Sequence, residues 1–245
     1  MESLPHISVI IPTLQEGKLL ERVLAQFTPG LREKHKLEVI VSDGGSTDDS
    51  LSIAQCRADV VVKSMHGVKQ NIAIGRNVGA RVARGQVLLF MNGDTIIDSI
   101  DQFFSALDNA VLIDRVAGVT CNVCIHSEEE QWTDVLFHTV YNWYFWLLNM
   151  IGMGMGRGEC QGVRRDLFFK IGGYNEKIAA GEDFELFVRL RRVGKIVFLR
   201  SQRVRESPRR YRRYGYLAIS AIWFINAFAV LLFRRSVTKE WKPVR

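Results

Sequence analysis

Two carboxylates in this chain, Asp94 and Asp43, close apolar runs, an acidic pair, Glu182-Asp183, opens a helix-like segment, and each sits where it could do chemistry. Asp94 ends "GQVLLFMNGDT" (85–95), a greasy stretch that stops at Asn92-Gly93-Asp94. Asn-Gly and Gly-Asp are turn formers, so the carboxylate can simply solvate a turn. It can equally mark a ligand edge, because open α/β sheets bind ligands at the carboxyl ends of their strands. One carboxylate there can hold Mg2+ or Mn2+ when phosphate oxygens complete the shell. Asp43, in "VIVSDGGSTDDS", can accept from a base N–H such as the imide of uracil, or cap a helix starting near Ser46. Glu182-Asp183 follows Gly181 at the head of "EDFELFVRLRRVG". A helix dipole favours carboxylates there, and it keeps one ionised, as a general base requires. Arg76, in "GRNVGARVARG", can reach a diphosphate from a helix beside the Asp94 strand, or stand as a solvated helix arginine.

Positioning these groups requires a particular scaffold. Apolar runs at 7–12, 37–42, 58–63 and 86–91 read as strands buried on both faces. Helical segments at 16–27, 46–56 and 71–83 separate them, with Ser46 as the expected N-cap of the second. Strand–helix alternation predicts an α/β fold with a parallel, Rossmann-like sheet and right-handed crossovers. The carboxyl ends then share one edge, which gathers 12–16, 42–49 and 92–94. Further on, 116–123 and 195–200 read as strands, 158–176 as a glycine-rich loop with a short helix, and 182–194 as an amphipathic helix. The stretch 131–156 is aromatic and apolar, and its "YNWYFW" at 141–146 reads as a core helix, with a second interfacial patch as the alternative.

A composition of 47% hydrophobic and 24% charged residues over 245 positions suits one main globular domain with an appendage. The charge is divided. Residues 1–188 hold 17 Lys/Arg against 24 Asp/Glu, a net −7, while 189–245 hold 16 against two, a net +14. A basic tail of that kind seeks phosphate. Of the four cysteines only Cys121 and Cys124 are close, and with no second Cys or His pair they read as buried structural thiols rather than zinc ligands. The opening residues lead straight into a strand, so a reduced cytosolic setting is the expectation.

The ordered set "VIIPTLQE", "VIVSDGGSTDDS", "GRNVGA", "VLLFMNGDT", "GGYNE" and "GEDFELFVRLRRVG" resembles glycosyltransferase family 2, the inverting enzymes with the GT-A fold. The resemblance covers about residues 6–215. It implies that Pro12, Thr13, Glu16 and Asp43 hold the nucleoside of a nucleotide-diphosphate sugar and that Arg76 lies on the donor side. The family's acidic triplet stands here as Asn92-Gly93-Asp94, so Asp94 inherits the metal (Mg2+ or Mn2+) and Asn92 replaces the acid that meets the ribose. Asp183, with Glu182 beside it, inherits the role of catalytic base. "GECQGVRR" resembles the acceptor-side loop, which assigns Gln161 and Gly162 there. "SPRRYRRYG" resembles a basic motif following the core in one branch, and Arg209 and Arg210 are expected to reach a diphosphate. The two rivals are a sugar nucleotidyltransferase, for which "IPTLQEGK" lacks glycine density, and a non-enzymatic phosphate or membrane binder. Interleaved aromatics in "RRYRRYGY" are compatible with nucleic acid, but the apolar segment that follows favours lipid.

That segment, "LAISAIWFINAFAVLLF" (217–233), has 17 residues, at the lower limit of the about 17–25 that span a bilayer. Basic residues flank it on both sides, which suits a helix lying in an anionic cytosolic leaflet, with Arg212 and Arg213 toward headgroups. Packing on the body or on a second copy is the alternative. The expected organisation is a GT-A domain at 1–207, with a nucleotide-binding half to about 95 and an acceptor half beyond, then a membrane-associating tail at 208–245. The acceptor oxygen belongs to a hydroxyl or a phosphate, and a lipid-linked acceptor fits a site beside the bilayer.

Overall fold

The computed structural model describes residues 5–64, 70–233 and 235–238; Arg234 and 239–245 of the basic tail lie outside the described residues. The first half runs β1 (Ile7–Thr13), α1 (Gly17–Ala25), α2 (Pro29–His35), β2 (Leu37–Asp43), α3 (Ser50–Arg57), β3 (Val60–Lys63), α4 (Ile72–Val82), β4 (Val87–Phe90) and the short β5 (Ile96–Ile97). The second runs α5 (Ile100–Val111), β6 (Val116–Ile125), α6 (Trp132–Met150), β7 (Gln161–Arg164), α7 (Arg165–Lys170), α8 (Glu182–Val193), β8 (Lys195–Glu206), α9 (Arg209–Tyr214) and α10 (Tyr216–Phe233).

One sheet has the order β3-β2-β1-β4-β7-β6-β8-β5. The first four strands of that order are parallel, as the alternation predicts. β7 then enters antiparallel to both β4 and β6, β6 and β8 are parallel, and β5 closes the edge antiparallel to β8. Alternate strand residues feed two cores, which is why the strands read as unbroken apolar runs. Val9, Ile11, Val39 and Leu89 meet Leu20, Leu24 and Phe104 on one face. Ile10, Ile40, Leu88 and Phe90 meet Ala73, Ala80 and Phe187 on the other. Each large side chain buried this way contributes about 1.5–3 kcal/mol. A Cβ on Gly79 would stand 2.5 Å from Ile10 Cγ2, so only glycine lets α4 lie this close to the sheet.

Several local expectations are corrected. α3 starts at Ser50, not near Ser46, because Ser46 is otherwise engaged: its Oγ accepts from Gln15 N at 2.9 Å, tying the β1 and β2 loops together. α2 was not anticipated, although Thr28 caps it through Leu31 N and Pro29 stands in its first turn. The segment 158–176 contains a strand, β7, whose four residues are too few to show a period. β8 runs to Glu206, past a register shift at Cys121/Asn122 that moves its pairing from Leu199 to Arg203. The charged residues after that irregularity disguise the strand. α6 is not a core helix: Asp134, His138 and Leu148 are buried, while Trp132 is 77% exposed and Leu136, Val140 and Trp143 are exposed with it.

Candidate active site

The carboxyl ends of β1, β2 and β4 face the head of α8, the loop before β7 and the end of β8 across a cleft of about 1140 Å³. Pro12, Thr13, Glu16, Ser42, Asn92 and Asp94 line one wall; Glu182, Asp183, Glu206, Arg209 and Arg210 line the other parts. α9, in the segment expected to be tail, is thus part of the cleft.

Asp43 caps no helix, because α3 starts at Ser50, but it does organise the loop after β2. Its Oδ2 accepts from the N–H groups of Gly45 and Ser46, both at 3.0 Å, which shapes the loop. Its buried Oδ1 has no hydrogen-bond partner among the described residues, and neither has Ser42 Oγ in the adjacent wall. An unpaired buried acceptor costs about 1–3 kcal/mol, which a ligand N–H would relieve. Thr13 carries the β1 end to this loop, its carbonyl accepting from Gly44 N at 2.8 Å.

Arg76 is neither a solvated helix residue nor a free arm. It is 0% exposed. Its guanidinium donates to Glu182 Oε1 at 3.0 Å, Asn92 Oδ1 at 2.9 Å and the Gly158 carbonyl at 3.0 Å, and lies 5.2 Å from the Tyr174 ring centre. Burial works against its charge, but Tyr174, Glu182 and Asp183 outweigh it and raise its pKa. Arg76 therefore joins the turn before Asp94, the loop before β7 and the head of α8. A Cβ on Gly158 would come within 2.7 Å of Arg76 Nη2, so the loop needs glycine there.

The head of α8 is as expected, with Gly181 preceding Glu182-Asp183. The electrostatics are not those of a dipole alone. Burial, and then Asp183, push Glu182 up to about 7 despite Arg76. Burial also raises Asp183 above its ordinary value, with Arg76 and two backbone N–H groups pulling the other way. Those bonds fix the side chain: Oδ1 accepts from Phe184 N at 2.8 Å and Oδ2 from Gly158 N at 3.1 Å. Desolvation thus makes Asp183 a stronger proton acceptor while leaving it partly exposed on the cleft.

At the opposite end, Arg209 Nη2 bridges Glu16 Oε2 at 2.7 Å and Asp94 Oδ2 at 3.2 Å. Arg210 lines the cleft beside them, its pKa lowered by burial although Glu206 and Asp94 oppose that. Among the described residues no three His, Cys, Asp or Glu side chains cluster as a metal cage. The donor set nevertheless fits a hard divalent cation in one mode: Asp94 supplies a single carboxylate, and phosphate and water supply the remaining oxygens.

Two expected acceptor residues are placed elsewhere. Gln161 is fully buried in β7, donating to the Asp183 carbonyl at 3.2 Å and accepting from Tyr174 OH. Gly162 faces Leu107 and Val119 in the core. The residues just before them, Arg157, Gly158 and Glu159, line the cleft instead, and sequence reasoning missed them. Arg157, buried, pairs with Glu159 at 3.3 Å and Glu206 at 2.5 Å and donates to Tyr211 OH at 3.3 Å. Burial and Glu159 push Glu206 up to about 8 in spite of Arg157. The signal available in the sequence was the unbroken glycine spacing of "GMGMGRGEC" before an apolar strand.

The cleft continues away from the charges into an apolar groove between α6 and α10, past Tyr144, Phe145, Leu148 and Phe228. The helices meet through Phe137–Tyr216, Tyr141–Trp223 and Tyr144–Phe224 ring contacts. Outward, Leu217 is 89% exposed and Phe224, Ile225, Phe228 and Phe233 are exposed beside it. Asn226, which interrupts the apolar run, is buried and binds Val237 N, Thr238 N and Thr238 Oγ1. Arg212 is exposed, and its guanidinium also pairs with the buried Asp134. Among the described residues, no helix is long and apolar enough to cross a membrane.

A mixed sheet of this order, with a carboxylate turn and a carboxylate-headed helix facing each other across the strand ends, is the GT-A glycosyltransferase fold. Residues 8–171 match Glycosyl transferase family 2, and the chain belongs to that family. It is 33% identical over 95 residues to glycosyltransferase AglE of Haloferax volcanii, a match covering 38% of this chain and 31% of AglE. It is 27% identical over 195 residues to the PGL/p-HBAD biosynthesis glycosyltransferase of Mycobacterium tuberculosis, covering 76% and 69%. Mannosyltransferase PcManGT from Pyrobaculum calidifontis, solved with GDP-Man and Mn2+, superposes with a TM-score of 0.73 at 18% identity, over 94% of this chain and 65% of that one. The chain thus matches about a third of AglE's length.

Proposed function

We propose that the enzyme moves a sugar from a nucleotide-diphosphate sugar to an acceptor oxygen with inversion, at the cytosolic face of a membrane, and that the acceptor is lipid-linked. The observation that carries the transfer chemistry is the cleft that joins Asp183 to Asp94, Arg209 and Arg210. The base of the nucleotide lies against Asp43, with Pro12, Thr13 and Glu16 around the nucleoside. The donor diphosphate lies at Arg209 and Arg210. Asp183 takes the proton of the acceptor hydroxyl as that oxygen bonds to the sugar C1. The C1–oxygen bond to the diphosphate breaks, and the diphosphate leaves with the electron pair. A Mg2+ or Mn2+ held by Asp94 would neutralise charge on that leaving group. Arg76 acts from behind, by holding Glu182, Asn92 and the Gly158 carbonyl in register.

Support for the lipid comes from the other end of the cleft. An acceptor lying there has its oxygen near Asp183 and its remainder between α6 and α10. The outer faces of the same helices are apolar and carry cations at their margins, with Arg200 stacked 4.5 Å from Trp146 and Arg213 exposed. A helix pair of this kind lies in a leaflet rather than crossing it. Incubating the purified chain with a panel of sugar nucleotides, with and without polyprenyl phosphate in anionic liposomes, tests both parts. Absence of hydrolysis or transfer from every donor would refute the chemistry. A soluble dimer with no liposome affinity would refute the membrane reading and assign the apolar faces to a second copy.

A further inference from the structure

We propose that Glu159 reads the hydroxyls of the transferred sugar; this rests on the glycosyl-transfer reading above and concerns the same cleft. Its backbone begins beside the base, since Gly158, its neighbour, donates to Asp183 Oδ2 at 3.1 Å. Its side chain reaches the other way: Oε1 stands 3.5 Å from Asn92 Nδ2, two residues before Asp94. In an inverting displacement the reacting C1 lies between the attacking oxygen and the leaving oxygen. The sugar ring must therefore occupy the span between Asp183 and Asp94, and Glu159 is a cleft carboxylate that reaches from one side of this span to the other.

The bonding of Glu159 fits a group that awaits a ligand. Its two contacts, 3.5 Å to Asn92 and 3.3 Å to Arg157 Nε, are longer than the about 2.7–2.9 Å of good charge-assisted bonds. Glu206, which shares Arg157, is held at 2.5 Å. The Glu159 side chain is 13% exposed and lines the cleft, so its remaining lone pairs are turned away from bulk water. A carboxylate offers about four acceptor positions, and two vicinal hydroxyls of a pyranose can donate to its two oxygens together. Removing or inverting one hydroxyl leaves a part-buried charged oxygen unpaired, which is how a polar site separates close analogues. Arg157 and the Gly158 N–H keep the residue from swinging to follow the wrong epimer.

Calorimetry on the full chain tests the inference, with UDP, UDP-glucose and UDP-galactose as one set and GDP, GDP-mannose and GDP-glucose as another. The wild-type chain is expected to bind one sugar nucleotide more tightly than its nucleoside diphosphate and its epimer. Glu159→Gln should bind the nucleoside diphosphate as before, lose roughly 10-fold or more of the sugar nucleotide affinity and narrow the epimer ratio. Glu159→Asp, which keeps the charge beside Arg157, should show the same pattern and serves if the glutamine variant does not fold. Unchanged sugar affinity and epimer ratio in both variants would overturn the inference and leave Glu159 a counter-ion of Arg157. Equal losses for nucleoside diphosphate and sugar nucleotide would overturn it as well. A wild-type chain that gains nothing from any attached sugar overturns it alone, whereas one that binds neither nucleotide sinks the glycosyl-transfer reading itself.

Discussion

The two walls of the cleft are built by different means. The wall at β1, β2 and β4 is made of strand ends and the loops that follow them, and its bonds are short in sequence or between neighbouring strands: Asp43 to Gly45 and Ser46, Gly44 to Thr13. The opposite wall is held by side chains far apart in the chain, Arg157 to Glu206 and Arg212 to Asp134. The first wall offers polar groups on a rigid sheet. The second offers arginine–carboxylate pairs beneath apolar helices. Chemistry that demands fixed geometry is expected at the junction of the two, and adaptation to a bulky acceptor on the second.

The largest effect should come from that junction. Asp183→Asn is expected to lower transfer by roughly 10²–10⁴-fold, as loss of a general base does. Calorimetry should show donor affinity retained; a collapse of donor binding with normal residual turnover would make Asp183 a donor ligand instead. Asp94→Asn tests the strand-end wall. Stimulation of turnover by added Mn2+ or Mg2+ should disappear, with a loss of roughly 10²-fold. Activity in excess EDTA equal to wild type would remove Asp94 from the metal role. Leu217→Asp with Phe228→Asp probes the apolar wall alone. Flotation with anionic liposomes should fall by roughly 10-fold or more, from the burial each side chain loses, while hydrolysis of the soluble donor stays unchanged.

The smallest effect concerns the pairs that hold α6 to α9. Burial and Arg157 depress His138 from 6.5 to about 3. A neutral histidine of this kind contributes stability that is complete above about pH 6.5 and is lost as pH falls toward 3. Burial opposes the charge on Asp134, but Arg212 and Tyr216 hold it down to about 2, so its contribution is present above about 3.8 and is lost as pH falls through 2. Glu182 and Glu206, raised to about 7 and about 8, act in the opposite sense as pH falls toward 4.5. In thermal melts followed by tryptophan fluorescence, which reports on α6 and α10, the first step should therefore appear as a fall in the Tm of the wild type relative to His138→Gln between about pH 6.5 and 3, with a fall of both in the second window. His138→Gln should flatten the first step; a wild-type slope in that variant would assign the step elsewhere.

This contrast also explains what the sequence disclosed. Strands β1, β2 and β4 carry continuous apolar runs because both faces are covered, and the carboxylates at their ends follow directly. The head of α8 was legible through Gly181 and the acids after it. Arg76 was visible as a residue but not as a strut, since its partners lie 106, 16 and 82 residues away and no local pattern records them. The cleft-lining residues of this loop lie a few positions before Gln161 and Gly162, because β7 is four residues long and turns Gln161 inward. The exposure of half of α6 was hidden because apolar and aromatic residues stand on both its buried and its exposed faces, which leaves no period to read.

Arg76 also sets a timetable. During synthesis α4 is complete about 100 residues before Glu182 leaves the ribosome, a delay of roughly 5–20 s at ordinary elongation rates. In that interval the four parallel strands can pair, but a guanidinium with only Asn92 and, later, the Gly158 carbonyl as partners lacks its counter-ion and must stay hydrated, and α4 cannot settle fully on the sheet. The amino-terminal half therefore waits, loosely closed, for its own carboxyl-terminal half. A ribosome-stalled chain ending before α8 should remain open to protease at α4, and one released after it should not.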